Sequence, residues 1–247
     1  IEVVGYVLSV GDVDLTPSPE TLAKTPQEQR AMRDTSELFA LCPENEEDAK
    51  RAIDDAKNAG DTLGGEVEVR VYNAPFGLGT HSQWSSKLDG RIAQAVAAIQ
   101  AFKGVEIGDG FALASTPGSE AHDEILWDEA QRASRRQGFV RPTNHAGGLE
   151  AGMTNGQTIV VRAAKKPIPT LRTPLRSVDL STKEELKAAF ERSDVCAIAA
   201  ASVVMENVVA FEIAAAVVEK FGGDSLDEIK DRLELFEGSV AARLVNS

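Results

Sequence analysis

The stretch Gln137-Gly138-Phe139-Val140-Arg141-Pro142-Thr143-Asn144-His145-Ala146-Gly147-Gly148-Leu149-Glu150-Ala151-Gly152-Met153-Thr154-Asn155-Gly156 lacks the periodic apolar residues that a helix or an ordinary strand requires. Glycine is used where a backbone must turn at positive φ or come close to something else. Gly147, Gly148, Gly152 and Gly156, interleaved with Asn144, Thr154 and Asn155, would gather exposed N–H groups as donors. Such a loop costs conformational entropy and adds little core, so packing or a ligand must hold it. By itself it reads as a Gly-rich turn between strands.

The flanking sequence is more regular. Residues 157–164 read as a strand, and residues 104–114 have strand character. Gly65–Asn73 alternates Val67, Val69 and Val71 with Glu66, Glu68, Arg70 and Tyr72, the period of a half-buried strand. Leu88, Ile92, Ala95, Val96, Ile99 and Phe102 trace one helical face. Residues 1–10 form a further strand. The stretch 11–61 is acidic and peripheral, with a helix at Ala49–Ala59 that ends at Gly60. Residues 117–136 make a polar excursion containing Trp127, Arg132, Arg135 and Arg136. Ala199–Phe221 is apolar on nearly all sides and predicts a buried helix stopped by Gly222-Gly223. Asp224 or Ser225 caps a last helix whose Leu226, Ile229, Leu233 and Phe236 share a face. This order predicts an α+β fold, a layered sandwich of antiparallel sheets and helices, in one domain over 1–247.

Composition narrows the function. With 39 acidic against 26 basic residues, the net charge of −13 repels phosphate backbones, so no nucleic-acid partner is expected. Any anion must therefore meet local arginines and lysines. Cys42 and Cys196 have neither metal-ligand nor disulfide spacing. His81, His122 and His145 lack the i, i+3 or i, i+4 spacing of a helical zinc site, so no metal is expected. Neither Gly-x-Gly-x-x-Gly nor a Walker pattern occurs. No secretory signal is seen, and the apolar run Val195–Val218 is broken by Glu206, Asn207 and Glu212; a cytoplasmic protein without a membrane partner is expected.

Four blocks, in order, resemble the chorismate synthase family: Ile99–Phe111, the Gly-rich stretch, Lys166-Pro167-Ile168-Pro169-Thr170-Leu171 and Arg192-Ser193-Asp194-Val195-Cys196-Ala197-Ile198-Ala199-Ala200. The resemblance implies two sheets sandwiched with helices and built by internal duplication. It implies a lyase that eliminates phosphate from 5-enolpyruvylshikimate 3-phosphate with reduced FMN, and a dimer or tetramer. Residue by residue, it implies Asp194 as catalytic and Arg192 as substrate- and flavin-binding. Further flavin contacts are Gln100, Ala101, Ala151, Lys166, Pro167, Ile168, Pro169 and Thr170. Ala151 stands where the family usually has glycine, Lys165 where many members have methionine, and Ala199 where proline is usual. The family's Gly-Glu-Ser-His-Gly and Ser-Ala-Arg signatures are not in this sequence, and its catalytic histidines belong to that segment. The chain alone is therefore expected not to turn over substrate; the alternative reading is a non-catalytic flavin-binding or assembly fragment.

Overall fold

A computed structural model describes every residue but Ala133, Asn246 and Ser247. The elements in chain order are β1 (Glu2–Val10), β2 (Val13–Asp14), α1 (Pro19–Leu22), α2 (Pro26–Thr35), α3 (Glu46–Ala59), β3 (Gly65–Tyr72), α4 (Leu88–Ala97), β4 (Phe102–Ile107) and α5 (Gly118–Ala121). There follow β5 (Leu126–Trp127), β6 (Phe139–Val140), β7 (Leu149–Glu150), β8 (Met153–Thr154), β9 (Ile159–Lys165), β10 (Arg176–Val178), β11 (Glu185–Lys187), α6 (Ile198–Phe221) and α7 (Leu226–Val245).

An antiparallel sheet in the order β2-β1-β3-β9-β4 carries the fold. The two-residue period decides its faces. Val67, Val69 and Val71 of β3 and Ile159, Val161 and Ala163 of β9 turn to one side, buried against Ile92 and Val96 of α4 and Met205, Val209 and Ile213 of α6. Fully burying each of these larger side chains contributes about 1.5–3 kcal/mol. The chain is thus α+β, as its residue order predicts; among the described residues there is one five-stranded sheet and three two-stranded ribbons, where the resemblance implies two sheets. Residues 117–136 lie outside the five-stranded sheet.

The long edge of β1 is covered by side chains and, at Val7, by the backbone around Phe39–Ala40, rather than by a full strand. The Gly5 N–H donates to Glu206 of α6 (2.7 Å), and the Gly5 carbonyl accepts from Arg33 of α2 (3.2 Å). Arg30 donates to the Val3 carbonyl and the Val7 N–H to the Phe39 carbonyl. Arg33 is also ion-paired with Glu206. An unpaired strand edge invites pairing with another chain, and here its polar groups are occupied.

The structure corrects four expectations. Strand character does not reach residue 114: β4 stops at Ile107 because Gly108 and Gly110 turn at positive φ. The helix beginning at Leu88 ends at Ala97, and Phe102 opens β4 instead of completing a helical face. Leu226 is exposed, while Ile229, Leu233 and Phe236 pack on the core. The α6 helix, long and apolar enough to span a membrane by length and composition alone, lays one face on the sheet. Its Val203, Val204, Phe211 and Val218 are exposed. The α2 helix was not anticipated: Thr25 and Glu28 form a capping box, but its buried residues are Gln29 and Arg33, which carry no apolar period.

Candidate functional site

Three of the segments singled out in the sequence meet where β9 ends. The helix α4 gives way to a turn at Gln100 and Ala101, with Ala101 at φ 69°. The Ala101 carbonyl accepts the Lys166 N–H at 2.9 Å. Beyond Lys166 the prolines at 167 and 169 keep the chain extended. The Ile168 carbonyl accepts the hydroxyl of Thr62 at 2.7 Å, a contact across 106 positions. The Thr170 hydroxyl accepts the Glu191 N–H (2.8 Å) and donates to the Glu191 carbonyl (3.1 Å), fastening the loop that carries Arg192 and Asp194. Leu63 donates its N–H to the Val195 carbonyl at 2.9 Å.

One short segment, Thr62–Gly64, therefore holds both the Lys166–Thr170 strap and the Arg192–Asp194 loop. Gly64 packs so closely that a Cβ there would lie 2.2 Å from the Lys165 carbonyl oxygen. Sequence reasoning passed over Thr62 and Gly64; no local pattern marks them.

Arg192 and Asp194 are exposed and make no side-chain ion pair with each other or with any described residue. Asp194 therefore does not orient Arg192 through a direct contact. Gln100 and Lys166 are also exposed. Ala151 is not brought to this place. It sits in the β7–β8 turn at φ 51°, beside Gly152, whose carbonyl accepts the N–H of Leu88 at the start of α4. Gln100 and Ala101 follow the far end of that ten-residue helix, which spans about 15 Å.

The Gly-rich stretch spends its donors internally. The N–H groups of His145 and Ala146 go to Asp123 (2.8 and 3.0 Å), and that of Gly148 goes to the Asn144 side chain (2.9 Å). Gly108 and Gly147 touch backbone to backbone: a Cβ on Gly108 would lie 2.2 Å from the His145 carbonyl oxygen. Packing therefore accounts for these glycines. Partial burial opposes ionisation of Asp123, but the Thr143 hydroxyl and the two N–H groups outweigh it and lower its pKa.

On the sheet face away from α4 and α6, a charged chain runs from Tyr6 through Glu68 to Arg70 and Arg162, then to Asp109 and His145. Burial first, and then the Glu68 carboxylate, push the Tyr6 phenol up. His145 Nδ1 lies 2.5 Å from Asp109, and this hydrogen bond raises the imidazole above its ordinary value of 6.5. A raised folded-state pKa stabilises below 6.5, and that contribution is lost as pH rises through the folded value. His145 is accordingly expected to titrate above 6.5 by NMR and to fall toward it in Asp109→Asn; a midpoint at or below 6.5 in the parent would contradict the pairing.

An antiparallel sheet backed by two helices, with the Lys166 and Arg192 side chains unpaired among the described residues and a proline-stiffened strap near one end, defines an α+β protein. The family model for chorismate synthase matches residues 1–218, and the chain belongs to the chorismate synthase family. It is 56% identical over 231 residues to the chorismate synthase of Trichlorobacter lovleyi, covering 93% of this chain and 58% of that relative. The Geobacter metallireducens enzyme is 54% identical, with the same coverage. A crystal structure of chorismate synthase superposes with a TM-score of 0.78 at 40% identity, covering 97% of this chain and 63% of the other. The chain thus spans about three-fifths of the length of the relatives it matches.

Proposed function

We propose that this chain carries the flavin-facing part of a chorismate synthase site, which eliminates phosphate from 5-enolpyruvylshikimate 3-phosphate to give chorismate. In that reaction one C–O and one C–H bond break and a C=C bond forms, with no net redox change. The observation that carries the reading is the meeting of Gln100–Ala101, Lys166–Thr170 and Arg192–Asp194 at the end of β9. The residues present fit a flavin: exposed Pro167 and Pro169 offer an apolar edge, and the charged groups of Lys166 and Arg192 have no partner among the described residues. Reduced FMN, when bound, supplies electron density beside the ring that loses phosphate.

The chain's own groups do the rest. The Arg192 guanidinium is a rigid fork for carboxylate or phosphate and holds the anionic substrate. Asp194, two residues on, takes or relays the proton in this reading. The Thr170–Glu191 clasp sets the loop that presents both. Asp194→Asn in the protein containing this chain is expected to lower kcat about 100-fold or more while moving the FMN dissociation constant less than threefold, because an amide keeps shape but not charge. Arg192→Lys is expected to lose at least tenfold in kcat/KM, since a point charge does not replace a fork. Small, equal changes in rate and flavin affinity would assign both residues to a surface loop. Anaerobic chorismate formation and flavin titration measure the two quantities.

The exposed Val203, Val204, Phe211 and Val218 on α6 support self-association, as a dimer or tetramer. Light scattering at micromolar concentration is expected to show more than one copy, and Phe211→Glu to reduce the mass. A monomer that binds no hydrophobic dye would oppose this.

A further inference from the structure

The basic cluster of the polar excursion has no part in the reaction above. Strands β5 and β6 pair Leu126 with Val140 and Trp127 with Phe139, and the two rings meet edge to face at 5.4 Å. Arg135 ties this ribbon to the body: it donates to the Asn73 carbonyl (2.8 Å) and pairs with Glu237 of α7 (3.2 Å). Ribbon, β8 and α7 enclose a cavity of about 430 Å³, a size that suits a small organic ligand. Phe76, Ile125, Phe139, Met153 and Val240 give it apolar walls.

Two polar groups interrupt those walls. Gln157 is 8% exposed and lines the cavity; its backbone N–H goes to the Asn155 side chain (2.9 Å), but its side-chain amide has no hydrogen bond with any described residue. The amide is not sealed off from solvent, so it keeps an opening, and the cavity provides it. A buried amide without a partner is costly, and that cost falls when a ligand takes up its N–H groups. Arg136 is the second group. Arg135 and Arg141 are paired with Glu237 and Glu150, whereas the Arg136 guanidinium has no partner among the described residues. No described acid lines the cavity, so its wall carries positive charge in a chain of net charge −13.

The cavity is remote from the strap. Phe76 packs on Phe236 (5.1 Å), and Phe236 on Phe221 (5.8 Å), the last residue of α6. The strap lies by Val195, before the start of that helix, whose 24 residues span about 36 Å. None of the residues expected to touch flavin lines the cavity.

We propose that this cavity binds a small aromatic carboxylic acid, with its ring among Phe76, Phe139 and Met153 and its carboxylate on Arg136 and Gln157. Aromatic rings pack edge to face or offset, and a thioether adds to such contacts. A guanidinium fork matches a carboxylate, and the amide N–H groups supply a second donor. A carboxylate enters so apolar a place only where such donors meet it. The assignment does not depend on the flavin reading.

The test titrates phenylacetate into the protein containing this chain, by calorimetry and by the NMR shift of the Trp127 indole, identified with Trp127→Phe. Saturable binding with a dissociation constant below about 1 mM is expected. Acetate, which lacks the ring, and phenylacetamide, which lacks the charge, are each expected to bind at least tenfold more weakly. Gln157→Leu and Arg136→Gln are expected to weaken phenylacetate at least tenfold, and Arg192→Ala to leave it unchanged. Arg136 is exposed, so its variant keeps the test open should Gln157→Leu not fold. The proposal is overturned if phenylacetate does not saturate, if both cavity variants bind it as the parent does, or if Arg192→Ala abolishes binding, which would place the acid at the strap.

Discussion

Gly64→Ala is expected to destabilise the protein by about 3 kcal/mol and to weaken flavin binding at least tenfold. The added Cβ would lie 2.2 Å from the Lys165 carbonyl oxygen and 3.0 Å from Lys166 C and Pro167 N. These are backbone atoms, so the strap itself must move by roughly an ångström, and forced overpacking of this kind costs about 1–3 kcal/mol. The movement drags the Thr62–Ile168 and Ala101–Lys166 bonds that seat the strap. Gly65→Ala is the matched control. Its Cβ would meet the Ser9 carbonyl oxygen at 2.1 Å, on the β1 side rather than the strap side. Similar loss of stability in both, with loss of flavin affinity concentrated in Gly64→Ala, is the expected pattern. Equal flavin affinity in the two would detach the strap from the site.

Glu206→Ala is expected to cost about 3–4 kcal/mol, with Glu206→Gln costing half of that or less. The alanine leaves Arg33, whose side chain is 9% exposed, without its main counter-charge and the Gly5 N–H without its acceptor. Removing one partner of a buried pair costs about 3–5 kcal/mol. Asp34 still touches Arg33 at 2.8 Å but is half exposed, which keeps the loss toward the lower end. Glutamine keeps an acceptor for Gly5 and loses only the charge. Urea melts of the two variants, with Arg33→Met added to close the cycle, measure the coupling; a cost under about 1 kcal/mol for Glu206→Ala would mean that the pair is a surface ornament.

The apolar framework was legible because burial here follows simple periods. Val67, Val69 and Val71 alternate, and all three are buried; Leu88, Ile92 and Val96 recur at helical spacing, and all three are buried. The α2 helix escaped because its inward residues are Gln29 and Arg33. Hydrophobic periodicity registers poorly a helix whose fully buried residues are polar; its signs are the capping box begun by Thr25 and Pro26 at the first turn. The partnership of Arg33 with Glu206, 173 positions apart, had no local sign at all. For the candidate site, the resemblance named the strap and the Arg192–Asp194 loop. The residues that seat them, Thr62 and Gly64, lie in a five-residue link with no motif. The resemblance marks Lys165 only as a lysine where many members have methionine. That it is buried follows from its parity with Ile159, Val161 and Ala163.

Amide hydrogen exchange with and without FMN tests the placement of the site most directly. The account predicts that saturating FMN slows exchange at Gln100–Ala101, Lys166–Thr170 and Glu191–Cys196, and at Leu63, whose N–H anchors the loop. Exchange along β1 and α2 should be unchanged. Protection confined to residues 117–141, or none at any of the three segments, would contradict it.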